Sequence, residues 1–112
     1  MKLVTAIIKQ FKLDEVCKAL SGLDVGGMTI LDVKGYGRQK GYTEINRLPG
    51  SPVNFLPKIQ LEVAVEDDRV KATVAAIAAA AHTGQIGDGK IFVTTLDHAV
   101  RIRTGETDSH AI

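Results

Sequence analysis

From Lys58 to Glu66 the chain alternates without a break. Ile59, Leu61, Val63 and Val65 fall on one side, and Lys58, Gln60, Glu62 and Glu66 on the other. Strand side chains alternate with a period of two, so this segment reads as a strand with one covered and one open face. The residues beyond Glu66 narrow the choice of fold further. Asp67 or Asp68 is placed to cap a helix whose apolar stripe is Val70, Val74, Ile77, Ala78 and Ala81. A glycine-rich stretch then leads into a second β-type run, Ile91 to Leu96. The second half of the chain is therefore a strand, a helix and a strand.

The first half repeats that order. Leu3 to Lys9 is β-type with apolar residues on both faces, and Lys12 to Ser21 is an amphipathic helix. Its stripe is Leu13, Val16, Cys17 and Leu20, with Asp14 and Glu15 near its positive end. Met28 to Lys34 reads as the next strand. Two such units predict an α+β fold, a ferredoxin-like double βαβ sandwich in a single domain over residues 1–112. With both helices on one sheet face, the other face is left uncovered. An apolar first strand there predicts self-association into a homo-oligomer.

Between the two units lies a connection over residues 36–56, containing Gly37, Gly41, Pro49, Gly50 and Pro52. Its roughly twenty residues far exceed the ~4–6 typical of compact domains, and loops of this length are usually functional.

The stretch Thr83-Gly-Gln-Ile-Gly-Asp-Gly-Lys-Ile-Phe-Val93 is the strongest chemical signal. Gly84, Gly87 and Gly89 permit sharp turns that gather backbone N–H groups around an anion, and Lys90 adds a cation. The spacing is close to a Walker A loop, but Ile91 stands where Mg²⁺ would need a hydroxyl. The flanking order, helix then strand, is also the reverse of that motif. Residues 82–90 are therefore expected to hold phosphates without Walker-type hydrolysis. Asp88 is expected to point away from the anion, ordering the turn or meeting a cation. Arg38, Lys40, Lys58 and Lys90 are expected near one end of the sheet. Arg101 and Arg103 are read on one side of an extended segment within 98–112.

Other classes find little support. The 14 Lys and Arg nearly balance 13 Asp and Glu, so bulk charge makes no case for nucleic acid. Three Phe and two Tyr form no base-stacking platform. The lone Cys17 makes no internal disulfide and reads as a buried small hydrophobe. His82, His98 and His110 have no metal-site spacing, and His82 reads as a helix-end residue. Ser51 has no local partner to make it a nucleophile. The amino terminus lacks a signal-peptide pattern, and no run approaches the ~20 apolar residues of a membrane span. A cytoplasmic protein is expected.

Three segments carry a family resemblance: Lys34-Gly-Tyr-Gly-Arg-Gln-Lys-Gly41, Asn54-Phe-Leu-Pro-Lys58 and Thr83 to Val93. Together they resemble the PII signal-transduction proteins, regulators of nitrogen metabolism, and the likeness runs from Met1 to Glu106. It implies a homotrimer binding ATP or ADP in clefts between subunits. Thr29 and Ala64 would lie at the base and ribose, Gly35 would also border the nucleotide, and Gly87, Asp88, Gly89 and Lys90 would wrap the phosphates. Arg38, Arg101 and Arg103 would assist. With MgATP, 2-oxoglutarate would bind at Gly37, Gln39, Lys40, Gly41, Lys58 and Gly87. Gln39 and the oxo acid would both ligate Mg²⁺, which answers the missing hydroxyl at Ile91. The loop 36–56 would report the bound state to a target through Tyr42, Glu44 and Arg47. An ammonium transporter, which would recruit the protein to the membrane, and a nitrogen-metabolism enzyme are the candidate targets. Direct membrane insertion and nucleic-acid binding are not implied.

One departure concerns regulation. The bacterial loop reads Tyr-Arg-Gly-Ala-Glu-Tyr, with the second tyrosine uridylylated. Here it reads Asn46-Arg-Leu-Pro-Gly-Ser51, so both tyrosines are absent. Ser51 is then either a turn-forming serine or a phosphorylation site. The expected protein is a regulator and not an enzyme. The alternatives are a slow ATPase or phosphotransferase in the same cleft, or a sensor of another metabolite on the same fold.

Overall fold

The computed structural model describes residues 1–36 and 55–112 of the 112-residue chain. The expected roles of Gly37, Arg38, Gln39, Lys40, Gly41, Tyr42, Glu44, Arg47 and Ser51 lie outside the described residues. The elements are β1 (Lys2–Ile8), α1 (Leu13–Ser21), β2 (Thr29–Gly35), β3 (Leu56–Val65), α2 (Val70–Ala81) and β4 (Lys90–Thr95). The strands form one antiparallel sheet in the order β2-β3-β1-β4, and with two helices this is the ferredoxin-like α+β sandwich.

Alternation in β1 and β3 sets the layers. Val4, Ala6 and Ile8 are buried beside Ile59, Leu61, Val63 and Val65, and α1 and α2 cover them with Val16, Leu20, Ile77 and Ala81. Register pairs Ala6 with Leu61 and Val4 with Val63, so apolar side chains stand opposite one another across the two central strands. A shift by one residue would turn this whole set to water, which is why the register is strongly specified.

The helices differ from expectation in detail. Asp67 and Asp68 do not cap α2. Both sit in a short 3₁₀ turn, Asp67–Arg69, ahead of the helix, and no side chain caps either element. The Asp67 carboxylate instead accepts from the Met1 amino group at 2.8 Å. Ala78 is exposed, and Thr73 takes its place in the buried stripe. Thr73 is tolerated there because its hydroxyl donates to the Arg69 carbonyl one turn back, at 2.8 Å. Cys17 is only half-buried, with its sulfur 3.6 Å from that of Met28.

The open sheet face is less apolar than the sequence suggests. Leu3 and Ile7 of β1 are half-buried, and Leu31 and Phe92 are exposed on the flanking strands. Register sets them beside a polar row on β3, comprising Lys58, Gln60 and Glu62. No helix among the described residues is long and apolar enough to cross a membrane.

Leu61 tests this core directly, because it is fully buried between Ala6 and Ile30 on the neighbouring strands. Leu61→Ala should lower unfolding free energy by about 2–5 kcal/mol in denaturant titration. A loss below about 1 kcal/mol would contradict this account of the core.

Candidate functional site

The glycine stretch joins the end of α2 to the start of β4, and each of its three glycines has a positive φ: +83° at Gly84, +94° at Gly87 and +102° at Gly89. Gly89 is the most constrained. A Cβ there would lie 1.7 Å from the Ile7 carbonyl oxygen, so the loop backbone rests directly on the end of β1.

Asp88 organises the loop, as expected, by turning back on its own backbone. Its carboxylate accepts from the Thr83 N–H at 2.8 Å, from the Thr83 hydroxyl, and from the Gly84 N–H at 2.9 Å. Lys9, at the end of β1, completes the clamp, with Nζ 3.1 Å from Asp88 Oδ1 and 3.1 Å from Thr83 Oγ1. These donors hold the Asp88 carboxyl well below the usual carboxylate range, the Thr83 hydroxyl and N–H contributing most. With its oxygens so occupied, Asp88 is not free to act as a general base.

Lys58 meets the same loop from β3. It is only 7% exposed, and its Nζ donates to the Gly87 carbonyl at 2.5 Å. Gly35 makes room for it: a Cβ there would lie 3.1 Å from Lys58 Cγ. Burial pushes the Lys58 ammonium down from its ordinary range, and the Lys9 charge adds to this while Asp88 opposes it. Lys90 is exposed as the first residue of β4. Beside it, Asp88 and Gly89 line a cavity of about 220 Å³ that is floored by Ile8, Ile77 and Ile91.

A second group lies at the other end of the sheet. Thr29, Glu62, Ala64 and Arg101 line a cavity of about 630 Å³ together with Ala111 and Ile112. Lys58 and Ala64 are six residues apart on β3, roughly 20 Å at the rise of a strand. Within one copy, then, the cations do not gather at one end of the sheet. β4 carries the chain the length of the sheet before Arg101 is reached, leaving Lys58 and Lys90 at one end and Arg101 at the other.

The local reading of Arg101 and Arg103 is also corrected. Residues 102–104 form a turn, closed by Gly105 N–H donating to the Arg101 carbonyl at 2.8 Å. The two guanidiniums therefore do not project from one side of an extended segment, and only Arg101 lines the cavity. His82 ends α2, as its position in the sequence suggested. Among the described residues there is no group of three or more His, Cys, Asp or Glu that could hold a metal ion.

Lys9, Glu62 and the pair His98–Asp108 were not singled out from sequence. Lys9 and Asp88 are 79 positions apart, and only the β1–β4 pairing brings them together. Glu62 gave no signal beyond its place in the alternation.

Comparison with known proteins agrees with this architecture. The family described as "Nitrogen regulatory protein P-II" matches residues 1–106. A "Nitrogen regulatory protein P-II" of Rhizobium etli is 62% identical over 112 residues, covering all of both chains. The protein of that name from Azospirillum brasilense is 54% identical, and "Nitrogen regulatory protein GlnK" of Escherichia coli 52%, again across all of both chains.

Two outcomes check the loop. Gly89→Ala should break the loop's seat on β1, because neither the Ile7 carbonyl nor a φ of +102° accommodates a side chain. Amide exchange at Gly84 to Lys90 should speed up markedly, and unchanged protection would contradict the contact. The second outcome is pH dependence. The folded pKa of Asp88 is depressed, so its stabilisation is present above the unfolded carboxylate value of ~3.9 and lost as pH falls through the folded value. Asp88→Asn should therefore be less stable than the wild type at pH 6 in thermal melts, and the gap should narrow between about pH 4 and 2. A gap independent of pH would show that the carboxylate charge plays no part.

Proposed function

Because the chain belongs to the nitrogen regulatory protein P-II family, whose members are signalling regulators and not enzymes, we propose that it senses ATP or ADP together with 2-oxoglutarate and controls a protein target in nitrogen metabolism. The observation that carries this reading is Lys58, a buried cation set against the carbonyl of Gly87 in a glycine loop whose own acid is already neutralised. A cation removed from water is best compensated by an anion, and the loop and Lys58 together fit a ligand bearing phosphates and carboxylates.

On this reading Gly87, Asp88, Gly89 and Lys90 wrap the phosphates through loop backbone and the Lys90 ammonium, while Thr29 and Ala64 hold base and ribose and Gly35 borders the site. Arg38, Arg101 and Arg103 assist. Lys58 pairs with the distal carboxylate of 2-oxoglutarate, and the backbone at Gly37, Lys40, Gly41 and Gly87 contributes. Magnesium suits the donors, because it keeps few protein ligands and binds largely through phosphate oxygens. Gln39, the nucleotide and the 2-oxo acid would supply its shell.

The separation of the two residue groups along β3 argues that the site is shared between copies. Joined open face to open face, one copy's glycine loop meets the neighbour's Thr29, Ala64 and Arg101. A homotrimer is the assembly proposed, and it also buries Leu31 and Phe92. The segment 36–56 would then report the ligand state by population shift, with Tyr42, Glu44 and Arg47 facing the target and Ser51 as a modification site. An ammonium transporter or a nitrogen-metabolism enzyme is the proposed target class, reached from the cytoplasm.

Titration calorimetry tests the sensor. Binding of 2-oxoglutarate should tighten about 5–150-fold in the presence of MgATP, a coupling of ~1–3 kcal/mol. Lys58→Ala should abolish the oxo-acid response while ADP binding persists, and Lys90→Ala should weaken both nucleotides. Equal 2-oxoglutarate affinity with and without MgATP would refute the coupling, and a monomer by light scattering at micromolar concentration would refute the shared site.

A further inference from the structure

Beyond β4 the chain builds a small hairpin. Asp108 N–H donates to the Ala99 carbonyl at 2.8 Å, and Arg101 N–H to the Glu106 carbonyl at 2.8 Å. Val100 pairs with Thr107 between them. A short turn, Asp108–His110, then redirects the backbone, with Ala111 N–H donating to the Asp108 carbonyl at 2.8 Å. One wall of the 630 Å³ cavity is sheet: Thr29, Glu62 and Ala64. Arg101 from the hairpin, Ala111 and Ile112 from the tail, and Gly26, Gly27 and Met28 from the segment ahead of β2 also line it. The hairpin and the tail meet at Asp108.

Asp108 is held in an unusual way. Its φ is +51°, in the left-handed region that a residue with a side chain seldom occupies. Its Oδ1 accepts from the Ala99 N–H at 3.1 Å and lies 2.7 Å from His98 Nδ1. The Ala99 N–H and then His98 hold the Asp108 carboxyl below its ordinary range. The side chain thus ties the hairpin's two ends across its base. Neither His98 nor Asp108 lines the cavity.

We propose that Asp108 and His98 are positioning residues, a clasp that holds Arg101 against the cavity and so sets nucleotide affinity without touching the nucleotide. This rests on the nucleotide-binding reading above. The clasp is exposed and lies away from the apolar core, so its energy goes to the orientation of the hairpin and not to the sandwich.

The test uses two substitutions at one position. Asp108→Gly keeps the left-handed backbone at no steric cost and removes the carboxylate. Asp108→Asn tolerates the same backbone, and its amide oxygen accepts from the same Ala99 N–H and from an imidazole N–H. By calorimetry, ADP affinity of the full-length protein should fall about tenfold in Asp108→Gly and stay within about twofold in Asp108→Asn. In an Arg101→Ala background, Asp108→Gly should cost almost nothing more, because the residue it positions is gone. Additive losses in the two backgrounds, or an Asn variant as weak as the Gly variant, would overturn the proposal.

Amide exchange at Arg101 and Gly105 supplies a readout that needs no ligand. It should speed up in Asp108→Gly with the global unfolding midpoint unchanged, and unaltered exchange would overturn the clasp by itself. Wild-type protein that binds no ADP would overturn the nucleotide reading and this inference together. Wild-type binding matched by Asp108→Gly would overturn this inference alone.

Discussion

The Lys9–Asp88 clamp is the interaction on which the loop geometry depends. It joins three places far apart in sequence: the end of β1, the end of α2 through Thr83, and the entry to β4. A loop of glycines has many conformations to lose, and something must offset that entropy. Here the offset is one carboxylate with donors on both oxygens, reinforced by the seating of Gly89 on the Ile7 carbonyl. An anionic side chain in a loop proposed to bind anions would ordinarily be self-defeating. Directed inward and matched by a lysine, it fixes the loop and leaves the outward surface without an opposing charge.

That neutralisation explains the unusual state of Lys58. A lysine removed from water is costly, and a second lysine nearby raises the cost. Asp88 offers a compensating charge, yet Lys9 already engages it directly. Among the described residues, Lys58 Nζ meets a backbone carbonyl, a neutral acceptor that satisfies one proton but not the charge. On the proposed reading, a ligand carboxylate or phosphate would supply the missing countercharge.

How much of this was legible in the sequence depends on the range of the interaction. Ile59, Leu61, Val63 and Val65 declared both strand and face, because alternation is local and burial follows it. The glycines likewise announced their positive φ. Hydrophobicity alone favours Ala78 over Thr73 for the stripe, whereas a threonine that bonds its own helix backbone is a good core residue. Asp67 looked like a cap because acids precede helices, but an amino group on the adjacent strand end competed for it successfully. Arg101 and Arg103 were paired by strand periodicity in a segment that in fact folds back as a hairpin. Nothing within a few residues of Lys9 pointed to Asp88, since that contact exists only once β4 has docked against β1.

The separation of the two residue groups along β3 has a further consequence. A strand is a stiff spacer, so the group around Lys58 and the group around Arg101 cannot approach each other by any small rearrangement of one copy. Any ligand that needs both must recruit the second group from elsewhere, and occupancy then becomes a property of the assembly and not of the chain. A small molecule biases a conformational equilibrium only through different affinity for its two states. The hairpin on Asp108 belongs to this logic. It lies outside the sheet, and so its position is one that a side-chain clasp can set independently of the core.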